Sequence, residues 1–400
     1  MDKTVCELFA GVGGFRLGLE SADPKWKTVW FSQWEPNAKK QWAHECYVNH
    51  WGDFSRDTGV DIAMVSKHSI PDHTLLVGGF PCQDYSVARP LPGAKGIEGK
   101  KGVLWWQIRD TLEMKRPAFG LFENVDRLLK SPAKQRGRDF GVMLACLASL
   151  DYSAEWRVVN AAEYGAAQRR RRVFIFVYRN DTKYAQSKKD MDHKTIIQNS
   201  GFFAKTFPIS DDEIKPLSTE VNYHDIPEVS ENFEFSFFNA GIMTQGKITT
   251  AKITPKIESP TTLRNILQSN VPEKYYVDDD KLEKWKYLKG AKRIERTSRT
   301  GHKYTFSEGA IAFPDDLDKP ARTMLTSEGT TNRSSHLILD PETNRYRIIT
   351  PLEAERIQGF KDDWTSMMPE RMRYFCMGNA LVVPMVTRMA KTLGPIIENE

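Results

Sequence analysis

Short apolar runs alternate with helix-like stretches through the first 180 residues, and this alternation is the sequence feature that most restricts the fold. A regular succession of strands and helices predicts a doubly wound, mostly parallel α/β sheet. In such sheets, ligands bind at the carboxyl ends of the strands. The predicted strands are "TVCELFA", "TVWFSQW", "HTLLVGGF", "AFGLFENV", "AEWRVVNA" and "RVFIFVYR".

The alternation stops after Tyr178, which predicts a second domain. Residues 181–318 are polar, acidic and interrupted by prolines, and "GIMTQGKITTAKITP" within them alternates in the manner of edge strands. Helical patterns return in "PLEAERIQGF" and "ALVVPMVTRMAKTLG". We therefore expect a first domain at 1–180, an inserted, less regular domain at 181–318, and a segment at 319–400 that returns to the first domain.

Cysteine usage and charge limit the class of protein. The five cysteines are scattered and form no CxxC pair, which disfavours a disulfide framework and a structural zinc site and fits a reducing cytoplasm. No apolar run approaches the roughly 20 residues of a membrane span, and the N-terminus lacks a secretory pattern. The net charge of +5 and the basic clusters at 169–172 and 284–303 indicate nucleic acid, although a solvated surface explains the second cluster equally well.

A glycine-rich turn, "FAGVGGF", follows the first predicted strand. Glycines at this point let the backbone approach a ligand closely. Gly11 and Gly13 fit the dinucleotide pattern GxGxxG, but Arg16 occupies the third glycine position, so a dehydrogenase is disfavoured and another adenosine-bearing cofactor remains possible. About twenty residues later, "SQWEPNA" stands where nucleotide-binding folds place a ribose contact. Trp34 could cover an adenine ring there or pack in the core.

Reactive side chains stand at the ends of other predicted strands. Cys82 follows "HTLLVGGF"; its thiol could be a nucleophile or an inert core cysteine. Glu123 and Asn124 end "AFGLFENV", where they could serve a cleft or cap the next helix. If the arginine run is extended, Arg170 and Arg172 share one face, and a bound anion or polar substrate would relieve their crowding.

Six segments in this order resemble the motifs of the cytosine-5 DNA methyltransferase family, of the bacterial restriction–modification type. The resemblance covers the N-terminal 180 residues and about the last 80, with the variable stretch between the fourth and fifth motifs. It implies a Rossmann-like methyltransferase fold with an inserted target recognition domain. The segments are "ELFAGVGGF", "GGFPCQ", "FENV", "QRRRRVF", "PLEAERIQGF" and "GNALVVP".

The resemblance also implies roles for individual residues. Cys82 would be the nucleophile, and Glu123 and Arg172 would hold the target cytosine. Arg170 would support their loop. The cofactor S-adenosylmethionine, which leaves as S-adenosylhomocysteine, would contact Phe9, Gly11, Val12, Gly14, Gln33, Trp34, Asp53, Phe54, Gly79, Pro81, Leu104, Asn379 and Ala380.

One position departs from the family pattern. The family usually has an acid before the aromatic residue of the second motif, whereas this chain has Gln33 before Trp34 and places Glu35 after it. Gln33 can accept a ribose hydroxyl, and a small shift would let Glu35 do so instead. The residue that contacts the ribose therefore stays open.

The implied reaction explains why these groups are needed. Thiolate addition to carbon 6 of cytosine turns carbon 5 into an enamine-like nucleophile for the methyl group, and an acid at ring nitrogen 3 stabilises the charge that develops. The target base must be flipped out of duplex DNA. No metal is required. We expect a cytoplasmic monomer acting on double-stranded DNA, with phosphate contacts from Lys292, Arg293 and Arg296 and a possible partner restriction endonuclease that cuts the same site.

Three other classes of protein fit the sequence less well. Amino-directed DNA methyltransferases carry a Pro-Pro pair, which this chain lacks. A tRNA cytosine-5 methyltransferase with the same catalytic core is the nearer alternative, but the roughly 140-residue variable region favours DNA recognition. A catalytically inactive DNA-binding relative would not need Cys82, Glu123 and Arg172 together.

Overall fold

The computed structural model describes residues 1–52, 57–80, 104–298 and 301–400. Within these residues, strands and helices alternate through the first part of the chain as the sequence predicts. The strands are β1 Thr4–Leu8, β2 Lys27–Ser32, β3 Leu75–Gly79, β4 Phe119–Val125, β5 Tyr152–Asn160, β6 Arg171–Arg179, β7 Leu217–Glu220, β8 Ala240–Thr244, β9 Lys247–Ala251, β10 Lys292–Thr297, β11 Lys303–Glu308, β12 Leu337–Leu339 and β13 Tyr346–Ile348.

The helices include several of a single turn in the middle of the chain. They are α1 Gly14–Ala22, α2 Trp42–Trp51, α3 Leu104–Lys115, α4 Arg138–Ser149, α5 Lys183–Gln186, α6 His193–Thr195, α7 Phe202–Thr206, α8 Ile226–Asn232, α9 Leu263–Ile266, α10 Asp279–Lys289, α11 Pro351–Gln358, α12 Glu370–Asn379 and α13 Val383–Glu398. Among the described residues, no single helix has the length and apolar composition of a membrane span; only α12 and α13 counted together reach it.

Nine strands form one sheet in the order β2-β1-β3-β4-β6-β5-β8-β9-β7. The first four strands in this order are parallel and linked by helices, which confirms the predicted doubly wound α/β fold. The remaining neighbours in the sheet pair antiparallel. Gln245 and Gly246 join β8 to β9 with φ values of 47° and 79°, the combination of a type I′ turn.

The core lies on the two faces of this sheet. Strands β1, β3 and β4 contribute fully buried residues, as expected for parallel strands covered on both sides. Helix α4 is buried along nearly its whole length, from Asp139 to Ala148. A Cβ atom on Gly18 of α1 would lie 2.6 Å from Cβ of Val386 in α13, so the glycine permits these two helices to pack closely.

The chain divides into two compact units. The first comprises Met1–Tyr164, Arg171–Glu258 and Val383–Glu400, and the second comprises Gly165–Arg170 and Ser259–Val382. The strands at 217–251 extend the large sheet, so this division falls after residue 258, within the predicted 181–318 domain. Of the predicted C-terminal segment, α13 belongs to the first unit and α11 and α12 to the second.

The second unit contains a network of buried charges. The guanidinium of Arg347 is fully buried and pairs with Glu353, with Nη2 2.8 Å from Oε1, and with Asp340. Glu353 also belongs to the capping box that begins α11, in which the hydroxyl of Thr350 accepts the Glu353 N–H. Because each buried charge has a partner, this network fixes the position of α11.

Candidate active site

Glu123 and Arg172 form an ion pair at the carboxyl end of β4. Glu123 is the fifth residue of β4, and β6 runs antiparallel beside it, with Arg172 paired to Val125. The Nε atom of Arg172 lies 2.7 Å from Oε1 of Glu123, and their side chains are 19% and 13% exposed. Solvent thus reaches the carboxylate on a small part of its surface, and the guanidinium sets its orientation.

The glycines of "GGFPCQ" allow close packing around this carboxylate. Gly79 on β3 is the register neighbour of Glu123. A Cβ atom on Gly79 would lie 3.3 Å from Oε2 of Glu123, and one on Gly78 would lie 2.9 Å from the carbonyl oxygen of Leu8. Larger residues at either position would push against β1 or displace the carboxylate.

Asn124 fixes the end of the segment that leads to Cys82. Its buried Nδ2 donates to the carbonyl oxygen of Phe80 at 2.9 Å, and its Oδ1 accepts the N–H of Val125 at 2.8 Å. Sequence reasoning suggested a cleft residue or a helix cap here and missed the contact with Phe80. The signal was an amide beside Glu123 at the end of an apolar strand.

Four predicted site residues lie outside the described residues: Asp53, Phe54, Pro81 and Cys82. Their predicted roles stay predictions.

The neighbouring arginines have different environments. Arg170 precedes β6, so the prediction that it shares a strand face with Arg172 is wrong. It is buried in the second unit, where its guanidinium donates to the carbonyl oxygens of Met324 at 3.2 Å and Gly378 at 3.1 Å. Arg171 is largely exposed and lies 3.3 Å from Asp126. Local backbone contacts, rather than strand alternation, decide where Arg170 is held.

The β1–α1 turn has an unusual backbone. Phe9, Gly11 and Gly13 have φ values of 55°, 55° and 86°, which glycine adopts readily and other residues rarely. A Cβ atom on Gly11 would have no atom of the described residues within 4 Å, whereas one on Gly13 would lie 2.2 Å from Cζ3 of Trp51. As far as the described residues show, Gly11 therefore leaves its backbone open to a ligand, whereas Gly13 is required by packing against α2. Val12 is buried, and Gly14 begins α1.

Gln33 supports this turn. Its Oε1 accepts the N–H of Gly11 at 2.7 Å, and the side chain is mostly buried. Glu35 is fixed through its backbone, because Gln41 accepts the N–H of Glu35 at 2.7 Å and donates to its carbonyl oxygen at 2.9 Å. Partial burial raises the pKa of the Glu35 carboxyl. Trp34 between them is 38% exposed, so it is available to a ligand rather than committed to the core.

A buried carboxyl lies beneath the turn. Glu7 on β1 is fully buried and accepts a hydrogen bond from the hydroxyl of Tyr47 at 2.9 Å. Burial raises the pKa of Glu7 to about 8, and the Tyr47 hydrogen bond and the charge of Arg16 oppose the shift. Arg16 pairs with Glu20 at 2.7 Å. This cluster joins β1, α1 and α2 under the turn.

Three further predicted cofactor residues lie at helix ends. Leu104 is the first residue of α3 and is half-buried. Asn379 ends α12 and is exposed, and Ala380 follows it. The carbonyl oxygen of Ala380 accepts a hydrogen bond from Nε2 of Gln358 at 3.2 Å. The end of α12 is thus fixed within the second unit by α11.

Comparison with known proteins identifies the family. A family model described as C-5 cytosine-specific DNA methylase matches residues 3–395. The chain belongs to the C-5 cytosine-specific DNA methylase family. It is 50% identical over 396 residues to the Type II methyltransferase M.Sau3AI of Staphylococcus aureus, covering 98% of this chain and 95% of that protein.

A more distant relative and a solved structure are consistent with this family and its fold. The chain is 26% identical over 393 residues to the Type II methyltransferase M1.ScrFI of Lactococcus lactis subsp. cremoris, covering 98% of this chain and 78% of that protein. The crystal structure of the S. pombe Dnmt2 methyltransferase covers 99% of this chain and 98% of its own with a TM-score of 0.58; at 15% identity it shows a shared fold. The predicted Rossmann-like methyltransferase fold and DNA cytosine-5 methyltransferase activity are confirmed, and the tRNA alternative is less supported. Methyltransferases of this family use S-adenosylmethionine and act on DNA.

The described cysteines of this methylase are all buried. They are Cys6, Cys46, Cys146 and Cys376. Burial raises the pKa of Cys6 well above its ordinary value and that of Cys146 to about 11. Since the thiolate is the reactive form, these two cysteines are poor nucleophiles.

The three predicted phosphate contacts of this methylase lie on the β10–β11 hairpin but not on one face. Lys292 is half-buried; its Nζ donates to the carbonyl oxygen of Leu288 at 3.1 Å and lies 3.7 Å from Glu308. Arg296 is exposed on the same face as Lys292, and its guanidinium stacks on Phe306 at 4.0 Å. Arg293 is exposed on the opposite face. Strand alternation separates residues that the sequence shows as one basic cluster.

Proposed function

We propose that this DNA methylase uses Cys82 as its nucleophile and Glu123 and Arg172 to hold a flipped cytosine of a specific double-stranded sequence. The observation that carries the proposal is the 2.7 Å ion pair between Arg172 and Glu123 at the carboxyl end of β4. Gly79, the register neighbour of Glu123, stands three residues before Cys82. The segment that carries the thiol therefore begins beside the carboxylate.

Each side chain has a distinct chemical task. The Cys82 thiolate adds to carbon 6 of the ring; the carbon 5–carbon 6 double bond breaks, and carbon 5 becomes the nucleophilic carbon of an enamine. Glu123 holds a proton at ring nitrogen 3, where negative charge develops, and Arg172 donates to the cytosine carbonyl oxygen. Carbon 5 takes the methyl group, and a base then accepts the proton on carbon 5. The carbon 5–carbon 6 double bond re-forms as the bond from sulfur to carbon 6 breaks, which regenerates the thiolate.

The β1–α1 turn fits the expected cofactor. No described residue lies within 4 Å of the position that a Cβ atom on Gly11 would take, and Gln33 accepts the N–H of this residue. S-adenosylmethionine supplies a methyl group on its sulfonium when it is bound. We propose that the turn and Trp34 bind its adenosine part, with Asp53 and Phe54 at the adenine ring. Gly79, Pro81, Leu104, Asn379 and Ala380 complete the proposed set of cofactor residues, and no metal is required by this chemistry.

The buried guanidinium of Arg170 supports a positioning role. It bonds to the carbonyl oxygens of Met324 and Gly378, the latter directly before Asn379. We propose that Arg170 positions the cofactor-binding end of α12 and touches neither cofactor nor cytosine.

The names of the relatives support a role in protecting the host DNA from a restriction endonuclease. M.Sau3AI and M1.ScrFI are both named Type II methyltransferases. We propose that this chain is likewise the modification enzyme of a restriction–modification system, acting as a monomer in the cytoplasm beside an endonuclease that cuts the same sequence.

Expression in a host without DNA methylation tests the function. Bisulfite sequencing of the host DNA should reveal 5-methylcytosine at one recurring sequence, and a Cys82→Ala control should leave that DNA unmodified. Absence of methylation in DNA together with methylated cytosines in the host tRNA would overturn the DNA assignment. Methylation by the Cys82→Ala variant would contradict the assignment of Cys82 as the nucleophile.

A further inference from the structure

The β10–β11 hairpin forms a two-stranded sheet of its own in the second unit. Its strands pair in unbroken antiparallel register from Lys292 opposite Glu308 to Thr297 opposite Lys303. Neighbouring strands lie about 4.8 Å apart, so the hairpin is a narrow ribbon. The major groove of B-DNA is wide enough to admit such a ribbon.

The two faces of the hairpin differ sharply. On one face, Ile294 and Phe306 are half-buried, and Lys292 packs over Tyr287 of α10 at 4.7 Å. On the other face every side chain is polar and exposed. We call this second set the polar face; its residues are Arg293, Glu295, Thr297, Lys303, Thr305 and Ser307.

The polar face carries the side chains that distinguish bases. Within the described part of the chain, these six side chains make no hydrogen bond or ion pair to another protein group. An arginine can bond to O6 and N7 of guanine, a glutamate can accept from N4 of cytosine, and hydroxyls can bond to any base. With two cations and one anion, the face also has the net positive charge that suits a DNA groove.

The base of the hairpin is held in a fixed position. Arg333 donates to the carbonyl oxygens of Leu288 and Gly290 at 3.1 Å each, before β10, and to that of Gly309, after β11. Just before the hairpin, the buried Lys289 lies 3.5 Å from Asp315. An isolated two-stranded hairpin is marginally stable, so a single guanidinium that joins both of its ends keeps the exposed ribbon ordered. A surface that only meets water needs no such anchor, whereas a recognition element must be held in place.

We propose that the polar face of the β10–β11 hairpin enters the major groove of the substrate DNA and reads base edges, with Arg293 bonding to O6 and N7 of a guanine. This inference rests on the proposed function, since it names the part of the enzyme that selects the DNA sequence. It divides the basic cluster into three roles. Arg293 reads a base, Arg296 on the opposite face contacts phosphate, and Lys292 anchors the hairpin to α10.

A library of DNA duplexes tests whether Arg293 reads a base and Arg296 contacts phosphate. Each duplex carries the target cytosine at a fixed position, flanked by randomised base pairs, and bisulfite sequencing of that position after a short reaction with the full-length enzyme gives a relative rate for every sequence. Arg293→Ala should reduce discrimination at one guanine position about ten- to a hundredfold, the value of one bidentate base contact. Arg296→Ala should instead slow all sequences by the same factor and flatten the salt dependence of binding.

Two further measurements separate base reading from phosphate binding. Arg293→Lys keeps the charge but loses the planar fork, so it should lose discrimination nearly as far as Arg293→Ala does. Replacing that guanine by 7-deazaguanine removes N7 from the major groove; it should slow the wild-type enzyme and leave Arg293→Ala unaffected.

Full discrimination in both Arg293 variants, or an equal slowing of all sequences by them, would overturn the proposal. If Arg293→Lys matched the wild type, the contact would be with phosphate. A wild-type enzyme that methylates no duplex would contradict the proposed function itself, which is a different outcome from altered selectivity. Far-ultraviolet circular dichroism of each variant checks that the fold is kept.

Discussion

Arg172 on β6 holds the carboxylate of Glu123 on β4, with Nε 2.7 Å from Oε1. The two residues come from strands that are neighbours in the sheet although β5 lies between them in sequence. The pairing gives the carboxylate one orientation at the edge of the sheet where the parallel strands end. Because its position is already set, a carboxylate held in this way can act on an adjacent ring with little further loss of entropy.

Replacing Glu123 by Gln should slow the chemical step by about two orders of magnitude or more, since the amide keeps the shape but cannot hold a proton at ring nitrogen 3. Binding of DNA should change little. Single-turnover methyl transfer with a saturating duplex measures the step. Asp126→Asn is the matched control, because Asp126 pairs with the exposed Arg171 instead; its rate should stay near that of the wild type. A wild-type rate for Glu123→Gln would remove the residue from the mechanism.

Cys82→Ala should abolish methyl transfer and leave binding of S-adenosylmethionine nearly intact, because the thiol takes part only in the addition to the ring. DNA with 5-fluorocytosine at the target should trap the wild type covalently, since fluorine cannot leave as the proton does. Cys146→Ala, which alters a buried thiol of raised pKa, should still form the adduct. A denaturing gel shows the adduct, and its absence from the wild type would contradict the assignment.

Gln33→Ala should weaken binding of S-adenosylmethionine by about 1–3 kcal/mol, because the N–H of Gly11 loses its acceptor and the turn loses a buried hydrogen bond. Glu35→Ala should have a smaller effect, since Gln41 fixes the Glu35 segment through the backbone. Titration calorimetry compares the two. Equal, negligible effects would mean that neither residue contributes to cofactor binding, and a larger effect of Glu35→Ala would assign the ribose to Glu35.

Glu7→Gln should remove a pH dependence of stability. Burial raises the pKa of Glu7 in the folded state to about 8 from an ordinary value of 4.5. Between these values the folded state keeps a proton that the unfolded state loses, so stability is full below the lower pKa and falls as pH rises through the higher one. The slope is at most about 1.4 kcal/mol per pH unit.

Urea unfolding at several pH values from about 4 to about 9, a range that spans both pKa values of Glu7, measures that slope. The Glu7→Gln variant, whose amide oxygen can still accept from Tyr47, should show a flatter curve than the wild type. Glu45→Gln on the same helix as Tyr47, with a carboxyl 39% exposed, should keep the wild-type slope. Identical slopes in the wild type and Glu7→Gln would mean that Glu7 is already ionised in the folded state.

The parallel half of the sheet was predictable because each strand is an apolar run followed by a helix-like stretch. Glu123 was recognisable for a similar reason, since a carboxylate after "AFGLF" has no place in a core. The roles of Gln33 and Asn124 were not predictable from the sequence, because both side chains bond to backbone groups elsewhere in the fold. Gln33 bonds to Gly11, and Asn124 bonds to Phe80. A contact that depends on how two loops meet leaves no periodic trace in the sequence.

The extent of the first unit was also harder to predict, because it depends on contacts between segments that are distant in the sequence. "GIMTQGKITTAKITP" has the alternation of edge strands, and it forms β8 and β9. Alternation does not reveal which sheet an edge strand joins, and β8 pairs with β5 of the large sheet. The position of Arg170 outside β6 was not predictable either, because a run of arginines beside a strand does not show where the strand begins.

Exchanging parts of the predicted 181–318 domain with a relative that methylates another sequence should locate recognition. Residues 259–318 lie in the second unit and include the hairpin, so a chimera that takes only this segment from the relative should methylate the relative's sequence. A chimera of residues 181–258 should keep the original sequence, because those residues complete the large sheet. Bisulfite sequencing reads both outcomes. If the second chimera changed the methylated sequence while the first kept it, recognition would reside beside the catalytic sheet and the assignment to the second unit would be wrong.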